Sequence, residues 1–321
     1  MDLRWRRVLG SFAAGVVLAL VGVVAAVTTL KAQARIARRV IGKPLGEEAL
    51  AADRVYKKKY GDPIDLVLLG DSIAAGLGAD DPRNTLGGEL ARRLTKATRR
   101  AVRLHTAAVV GAESSDLADQ LASLPPAYVP HVAVIVVGGN DITHRVRLAE
   151  SRRHLADAVR TLREEGTGVV VGTCPDLGAL QPLPQPLRSL GARASRQLAA
   201  VQRDATTELG GHAVSLADVV GPFFITQPDE MFALDRFHPS GAGYRRTAKA
   251  MLPSVLAALG YSRGYADAVP FGHHPPLASR EEPEKSRNPT QPTCRPGRRP
   301  LATGSVARSL RHLSIRRARR I

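Results

Sequence analysis

At 321 residues the chain is long enough to bury a substantial core, and its formal charge of +17 raises the question of a polyanionic partner. The location of that charge argues against nucleic acid: residues 1–60 hold 12 Lys/Arg against 4 Asp/Glu, residues 262–321 hold 13 against 4, and residues 61–261 hold 21 of each. A neutral middle, in a chain with only 4% aromatic residues, offers neither a phosphate-tracking groove nor a platform for stacking bases.

From the N-terminus, MDLRWRR is followed by the uncharged run VLGSFAAGVVLALVGVVAAVTTL at residues 8–30. As a helix this run spans a hydrocarbon core, and it exceeds the apolar stretch of a cleaved signal peptide. Ala-Gln-Ala at 32–34 imitates a cleavage site but directly follows Lys31. Residues 1–30 therefore read as a cytosolic stub and an uncleaved transmembrane signal anchor. Arg4, Arg6 and Arg7 flank one end; Lys31, Arg35, Arg38, Arg39 and Lys43 flank the other. A literal count of these leans towards a cytoplasmic position for residues 61–261, without fixing it. Residues 31–60, basic, Ala-rich and ending in KKKY, read as a juxtamembrane linker that lies on anionic headgroups or serves as a solvated spacer.

Residues 61–261 alternate short apolar runs with amphipathic stretches. Strands are expected at 64–69 (IDLVLL), 102–108, 132–137 (VAVIVV), 168–172 (GVVVG) and 212–216. Helices are expected at about 85–99, 114–123, 148–165, 188–209 and 240–259, where apolar residues recur at helical spacing, as in Leu148, Leu155, Val159 and Leu162. Strands alternating with helices of this length need crossover connections, which predicts a parallel sheet covered on both faces. Beyond Ser262 the sequence SREEPEKSRNPTQPTCRPGRRP has no apolar period, so residues 262–321 read as a disordered Pro/Arg-rich tail. Its last stretch, SVARSLRHLSIRRARRI, has the composition of a basic amphipathic helix, with a functionless tail as the plainer account.

Ligands of an open parallel sheet bind beyond the carboxyl ends of its strands, near the point where strand order reverses. Four features fall there. LVLLGDSIAAGLG puts Ser72 after the first strand, VVGAESSDL puts Gly111 after the second, VVGGND puts Asn140 after the third, and ALDRFHPSGAGY sets Asp235 three residues before His238. A serine hydroxyl becomes a nucleophile when a neutral imidazole accepts its proton, and that imidazole needs a carboxylate on its other nitrogen. Asp235 and His238 have a suitable spacing for that pair. The N–H groups of Ser72 and Gly111, with the Asn140 side-chain amide, would then stabilise the oxyanion.

Gly-Asp-Ser, the isolated Gly, Gly-Gly-Asn-Asp and Asp-x-x-His-Pro, in this order at strand ends, resemble the SGNH/GDSL hydrolases over about residues 61–261. The resemblance implies a flavodoxin-like three-layer αβα sandwich with a five-stranded parallel sheet in the order 2-1-3-4-5. It also implies ester hydrolysis without metal or other cofactor. Carried over by position, Ser72 is the nucleophile, His238 the base and Asp235 its orienter, with Gly111 and Asn140 as oxyanion donors. Ile73 stands where Leu is usual, an apolar exchange at a packing position. With the anchor, the resemblance implies an extracytoplasmic domain acting on a lipid ester or an acetylated cell-envelope substrate. A cytoplasmic-side acyl-thioesterase or lysophospholipase, and a catalytically silent membrane-tethered scaffold, are the other readings the residues leave open.

The remaining candidates have plainer accounts. Asp71 is expected to fix the turn, and Asp141 to cap a helix or pack near it. His105, His131, His144, His154 and His212 are read as surface or core residues. Cys174 and Cys294 are too few for a disulfide framework and lack metal spacing. Gly76 and Gly78 begin a G-x-G, but Asp81 occupies the third glycine position of a dinucleotide fingerprint, and no P-loop is present. Phe223, Phe224, Phe232 and Phe237 cluster with Met231. Core packing accounts for them, and an acyl-binding wall that includes Phe224 and Phe232 is the functional reading.

Overall fold

The structure, a computed structural model, describes residues 3–261; the tail assigned to 262–321 lies outside them. The chain opens with α1 (Leu3–Ile41), which carries the apolar run and continues past it through the first part of the expected linker. Within α1, Gly15–Ile41 is long and apolar enough to cross a membrane.

The strands, in chain order, are β1 (Arg54–Tyr56), β2 (Pro63–Gly70), β3 (Ala101–Thr106), β4 (Val132–Val136), β5 (Gly168–Gly172) and β6 (His212–Val214). They form one sheet in the order β1-β3-β2-β4-β5-β6. The pairs β2–β3, β2–β4, β4–β5 and β5–β6 are parallel, so the expected five-stranded order is the body of the sheet. The expectation of a wholly parallel five-stranded sheet is corrected by β1, which adds a sixth strand antiparallel to β3, with Arg54 opposite Leu104. Three residues within a basic segment carry too little alternation to be read as a strand. The edge forms through backbone pairing and the Asp53 carboxylate, which accepts from Thr106 N at 2.9 Å.

The strand period of two divides the buried side chains between the two faces. Ile64, Leu66 and Leu68 of β2 pack with one core, and Val67 and Leu69 with the other. Among the helices, α2 (Ser72–Ala75) and α3 (Leu86–Thr98) precede β3, and α4 (Leu117–Ala122) precedes β4. Then come α5 (Gly139–His144), α6 (Leu148–Glu164), α7 (Leu187–Glu208), α8 (Leu216–Val219), α9 (Gly221–Thr226), α10 (Pro228–Met231) and α11 (Gly241–Ala258). Leu86, Leu90 and Leu94 of α3 and Tyr244, Met251 and Val255 of α11 cover the first face. Leu117 of α4 and Leu155, Val159 and Leu162 of α6 cover the second. Side-chain oxygens start α3 and α11: Thr85 accepts from Gly88 N, and Ser240 from Gly243 N. The short helices α8 to α10 are absent from the sequence expectation because four to six residues show no helical period. Leu216 accordingly begins α8 instead of ending the expected strand 212–216.

Candidate active site

The site begins where β2 ends. Gly70 has φ of +122°, and a Cβ there would stand 1.9 Å from the carbonyl oxygen of Val136 on β4. Only glycine tolerates that approach, and it lets Asp71 N donate to the same carbonyl at 2.9 Å. The strand end is closed by buried Gln120 of α4, whose Oε1 accepts from Gly70 N at 2.7 Å and whose Nε2 donates to Gly70 O at 2.8 Å. The chain then turns, with Asp71 as the N-cap of α2, its Oδ1 accepting from Ile73 N at 2.9 Å. Ser72 is the first residue of α2 and is buried, with 7% of its surface exposed. Burial pushes the Asp71 carboxyl up to about 6, although hydrogen bonds from Ile73 and Gly139 and attraction to His238 pull the other way.

The partner residues arrive on the turn before α11. Asp235 Oδ1 accepts from Phe237 N and His238 N, each at 3.0 Å, and its Oδ2 faces His238 Nδ1 at 2.6 Å. Arg236 between them takes the left-handed conformation, φ 56°, that closes this turn. An antiparallel bridge between Phe232 and Pro239 holds its base, with Ala233 N donating to His238 O at 2.8 Å. Burial raises the Asp235 carboxyl, and the hydrogen bonds from His238 and Phe237 outweigh it, so the group lies below its ordinary value. His238 Nε2 lies 3.0 Å from Ser72 Oγ. The three side chains thus form one hydrogen-bonded chain across 166 residues of sequence.

Asn140 follows Gly138 and Gly139 after β4, in the first turn of α5. One hydrogen of its Nδ2 is donated to Ala112 O at 2.9 Å, which leaves the second for another acceptor. Gly111 is exposed, with φ of +88°, and its N–H donates to no group among the described residues. Asp141 neither caps a helix through its side chain nor touches the Ser72 turn by a hydrogen bond. It is a buried acceptor: Oδ1 takes Ser114 Oγ and Ser151 Oγ at 2.6 Å each, and Oδ2 takes Ser114 N at 3.1 Å. It therefore ties the loop after β3 to α6, and sequence spacing offered no sign of that.

Two cavities meet at His238. The first encloses about 770 Å³ of empty space, part of it open to solvent. Ser72, Asn140 and His238 stand in its wall, with Leu177, Leu180, Leu216, Val220, Phe224 and Phe232 among the other lining residues. Phe224 and Phe232 touch edge to face, with ring centroids 4.8 Å apart, and pack in the core while lining this cavity. The second cavity, about 1160 Å³ including open solvent, lies against Asp235, Phe237, His238 and Gly111. Gly111 is therefore brought to the histidine but lines a different cavity from Ser72. Gln120 and Gln202 escaped the sequence reading, because a lone Gln in an amphipathic stretch carries no local signal. Gln202 Oε1 accepts from Cys174 N at 2.7 Å and its Nε2 donates to Val137 O at 2.9 Å, joining the ends of β4 and β5 beside the site. Among the described residues no cluster of three or more His, Cys, Asp or Glu is arranged to hold a metal ion.

Fold and site together define the class: a three-layer α/β enzyme with a Ser, His and Asp cluster at the carboxyl edge of its sheet. Residues 68–246 match the GDSL-like Lipase/Acylhydrolase family. The chain is 38% identical over 244 residues to the GDSL-like esterase Rv1075c of Mycobacterium tuberculosis, covering 72% of this chain and 76% of that protein. Among solved structures it is similar to the psychrotrophic esterase EstA from Pseudoalteromonas sp., at 18% identity over 61% of this chain and 99% of that one, with a TM-score of 0.49. It is also similar to a catalytic mutant of Axe2, an acetylxylan esterase from Geobacillus stearothermophilus, at 20% identity over 62% and 95% of the two chains, TM-score 0.49. The protein belongs to the GDSL-like lipase/acylhydrolase family and is an ester hydrolase.

Proposed function

We propose that Ser72, His238 and Asp235 cleave a carboxylic ester through an acyl-enzyme. The observation that carries this reading is the chain of contacts from Ser72 Oγ to His238 Nε2 at 3.0 Å and from His238 Nδ1 to Asp235 at 2.6 Å. Ser72 Oγ attacks the carbonyl carbon while His238 Nε2 takes its proton. The oxyanion is held by the Ser72 N–H and the free Nδ2 hydrogen of Asn140, both of which stand in the wall of the first cavity, whereas Gly111 lines the second. His238 then gives its proton to the departing alkoxide, which leaves as the alcohol. A water, deprotonated by His238, attacks the acyl-enzyme; the acid departs and Ser72 recovers its proton. Asp235 stays ionised throughout and holds the imidazole tautomer. The acyl group occupies the apolar cavity, and its lining by Phe224 and Phe232 supports a lipid or other acyl ester as substrate.

A serine-directed fluorophosphonate probe tests the reading. The parent protein becomes labelled and Ser72→Ala does not; an unlabelled parent with intact fold supports a silent scaffold instead. We further propose that residues 8–30 anchor the enzyme with its domain outside the cytoplasm. A phosphatase fused after residue 60 is then active, and an inactive fusion reverses the orientation.

A further inference from the structure

The second cavity has a wall that comes from neither the sheet nor its crossover loops. Residues 41–48, the last residue of α1 and the segment that follows it, supply Ile41, Lys43, Leu45, Glu47 and Glu48 to it, in a lining shared with Asp235 and His238. The start of this segment is fastened. Gln33 Nε2 donates to Gln185 O at 2.6 Å, Gln33 Oε1 accepts from Leu187 N at 3.2 Å, and Ala37 is buried one helical turn before Ile41. The rim is charged: Lys43 pairs with Glu47, and Glu48 is exposed beside them. The first cavity, by contrast, is lined mainly by apolar residues, with Asp71 and Asp176 as its carboxylates.

Chemistry assigns the two sides. The imidazole that takes the serine proton must hand it to the oxygen of the departing alcohol, so that alcohol leaves from beside His238. With the acyl group in the apolar cavity next to Ser72, the cavity on the other side of His238 is where the alcohol lies. We propose that residues 41–48 form the wall of an alcohol subsite, and that its carboxylates and ammonium select a hydroxyl-rich leaving group, glycerol- or sugar-like, over an alkyl one. This assignment rests on the triad proposed above. The segment that joins the helix to the domain is thereby a specificity-determining part of the enzyme. Hydroxyl donors suit Glu47 and Glu48, and Lys43 donates to hydroxyl oxygens, whereas an alkyl alcohol satisfies none of them.

The test compares esters of one acid with different alcohols: glyceryl monobutyrate, 6-O-butyryl glucose and butyl butyrate. The full chain in detergent is compared with K43A, with E47A/E48A and with a variant whose residues 43–48 are an equal-length Gly/Ser run. The quantity read is the ratio of kcat/KM between polyol and butyl esters, in which the active fraction cancels, so partial misfolding of a variant does not affect it. The ratio is expected to fall about tenfold in E47A/E48A and in the Gly/Ser variant, mainly through KM for the polyol ester. A fall for one polyol alone also supports the subsite and identifies glycerol or sugar as its ligand. Ratios unchanged within twofold in every variant overturn the subsite while leaving the triad standing. A parent that cleaves none of the three esters and resists the fluorophosphonate overturns the triad and the subsite together.

Discussion

A carboxyl group buried beside a nucleophile is expensive to keep charged, and Asp71 is such a group, only 3% exposed. Its folded value of about 6 lies above its ordinary 3.8, so between these two the folded state holds the proton more tightly than the unfolded chain. The stability it contributes is therefore full below about pH 4 and is lost as the pH rises through 6. Two units correspond to on the order of 3 kcal/mol. Asp71→Asn, measured by thermal unfolding from pH 4 to pH 8, should gain on the parent by about that amount as the pH rises. Asp235 has the opposite balance, because the bonds from His238 and Phe237 hold it ionised. Asp235→Asn keeps its shape but no longer supports the required tautomer, and kcat for a p-nitrophenyl ester should fall by about 10⁴ with the fold retained. With Asn140 as the oxyanion donor proposed above, Asn140→Ala should lower kcat by about 10²–10³.

Single side chains on helices join elements that the backbone leaves apart. Gln120 of α4 closes the end of β2, and Gln202 of α7 joins the ends of β4 and β5. Asp141 of α5 gathers Ser114 and Ser151, both buried. Asp141→Ala strands two buried hydroxyls, and denaturant unfolding should show a loss of about 2–4 kcal/mol. Activity should fall with it, because the Ser114 loop also carries Gly111 and the Ala112 carbonyl that orients Asn140. In α9 and the turn after α10, Phe224 and Phe232 form part of the wall of the apolar cavity. Replacing both by Ala enlarges that cavity. The preferred acyl length among p-nitrophenyl esters should then shift to longer chains, and an unchanged preference removes the rings from the acyl site.

Across the whole molecule, α1 joins an apolar run to the domain without a break in the helix. From Leu30 to Ile41 it rises about 16 Å at 1.5 Å per residue, and Gln33 and Ala37 fasten this stretch to the domain. With residues 8–30 as the anchor proposed above, the cavity beside Ile41 would lie close to the bilayer surface. Leu18→Arg with Val21→Arg puts two charges near the centre of that run, each costing about 2.5–3.5 kcal/mol in a bilayer. The parent chain should stay in the membrane pellet after alkaline carbonate extraction, and the double variant should appear in the supernatant.

Residue types and their spacing carried the architecture far, because a buried parallel strand must be apolar and a crossover helix must show a period of 3.6. VAVIVV and GVVVG follow the first rule, and Leu155, Val159 and Leu162 the second. The same logic named Ser72, Asp235, His238, Asn140 and Gly111, since strand ends and a three-residue Asp–His spacing are local features. β1 was not legible, because three residues hold no period and its pairing partner lies some fifty positions away. Gln120, Gln202 and the Asp141 hub were not legible either, since their bonds reach across 10 to 65 residues and join loops whose approach no local pattern encodes. The division of the site into an apolar cavity and a charged one walled by residues 41–48 arises only when the chain folds back on itself. The linker, read as lying on headgroups or as a solvated spacer, then lines a cavity shared with the histidine, because surface shape belongs to the assembled fold and not to any one stretch of chain.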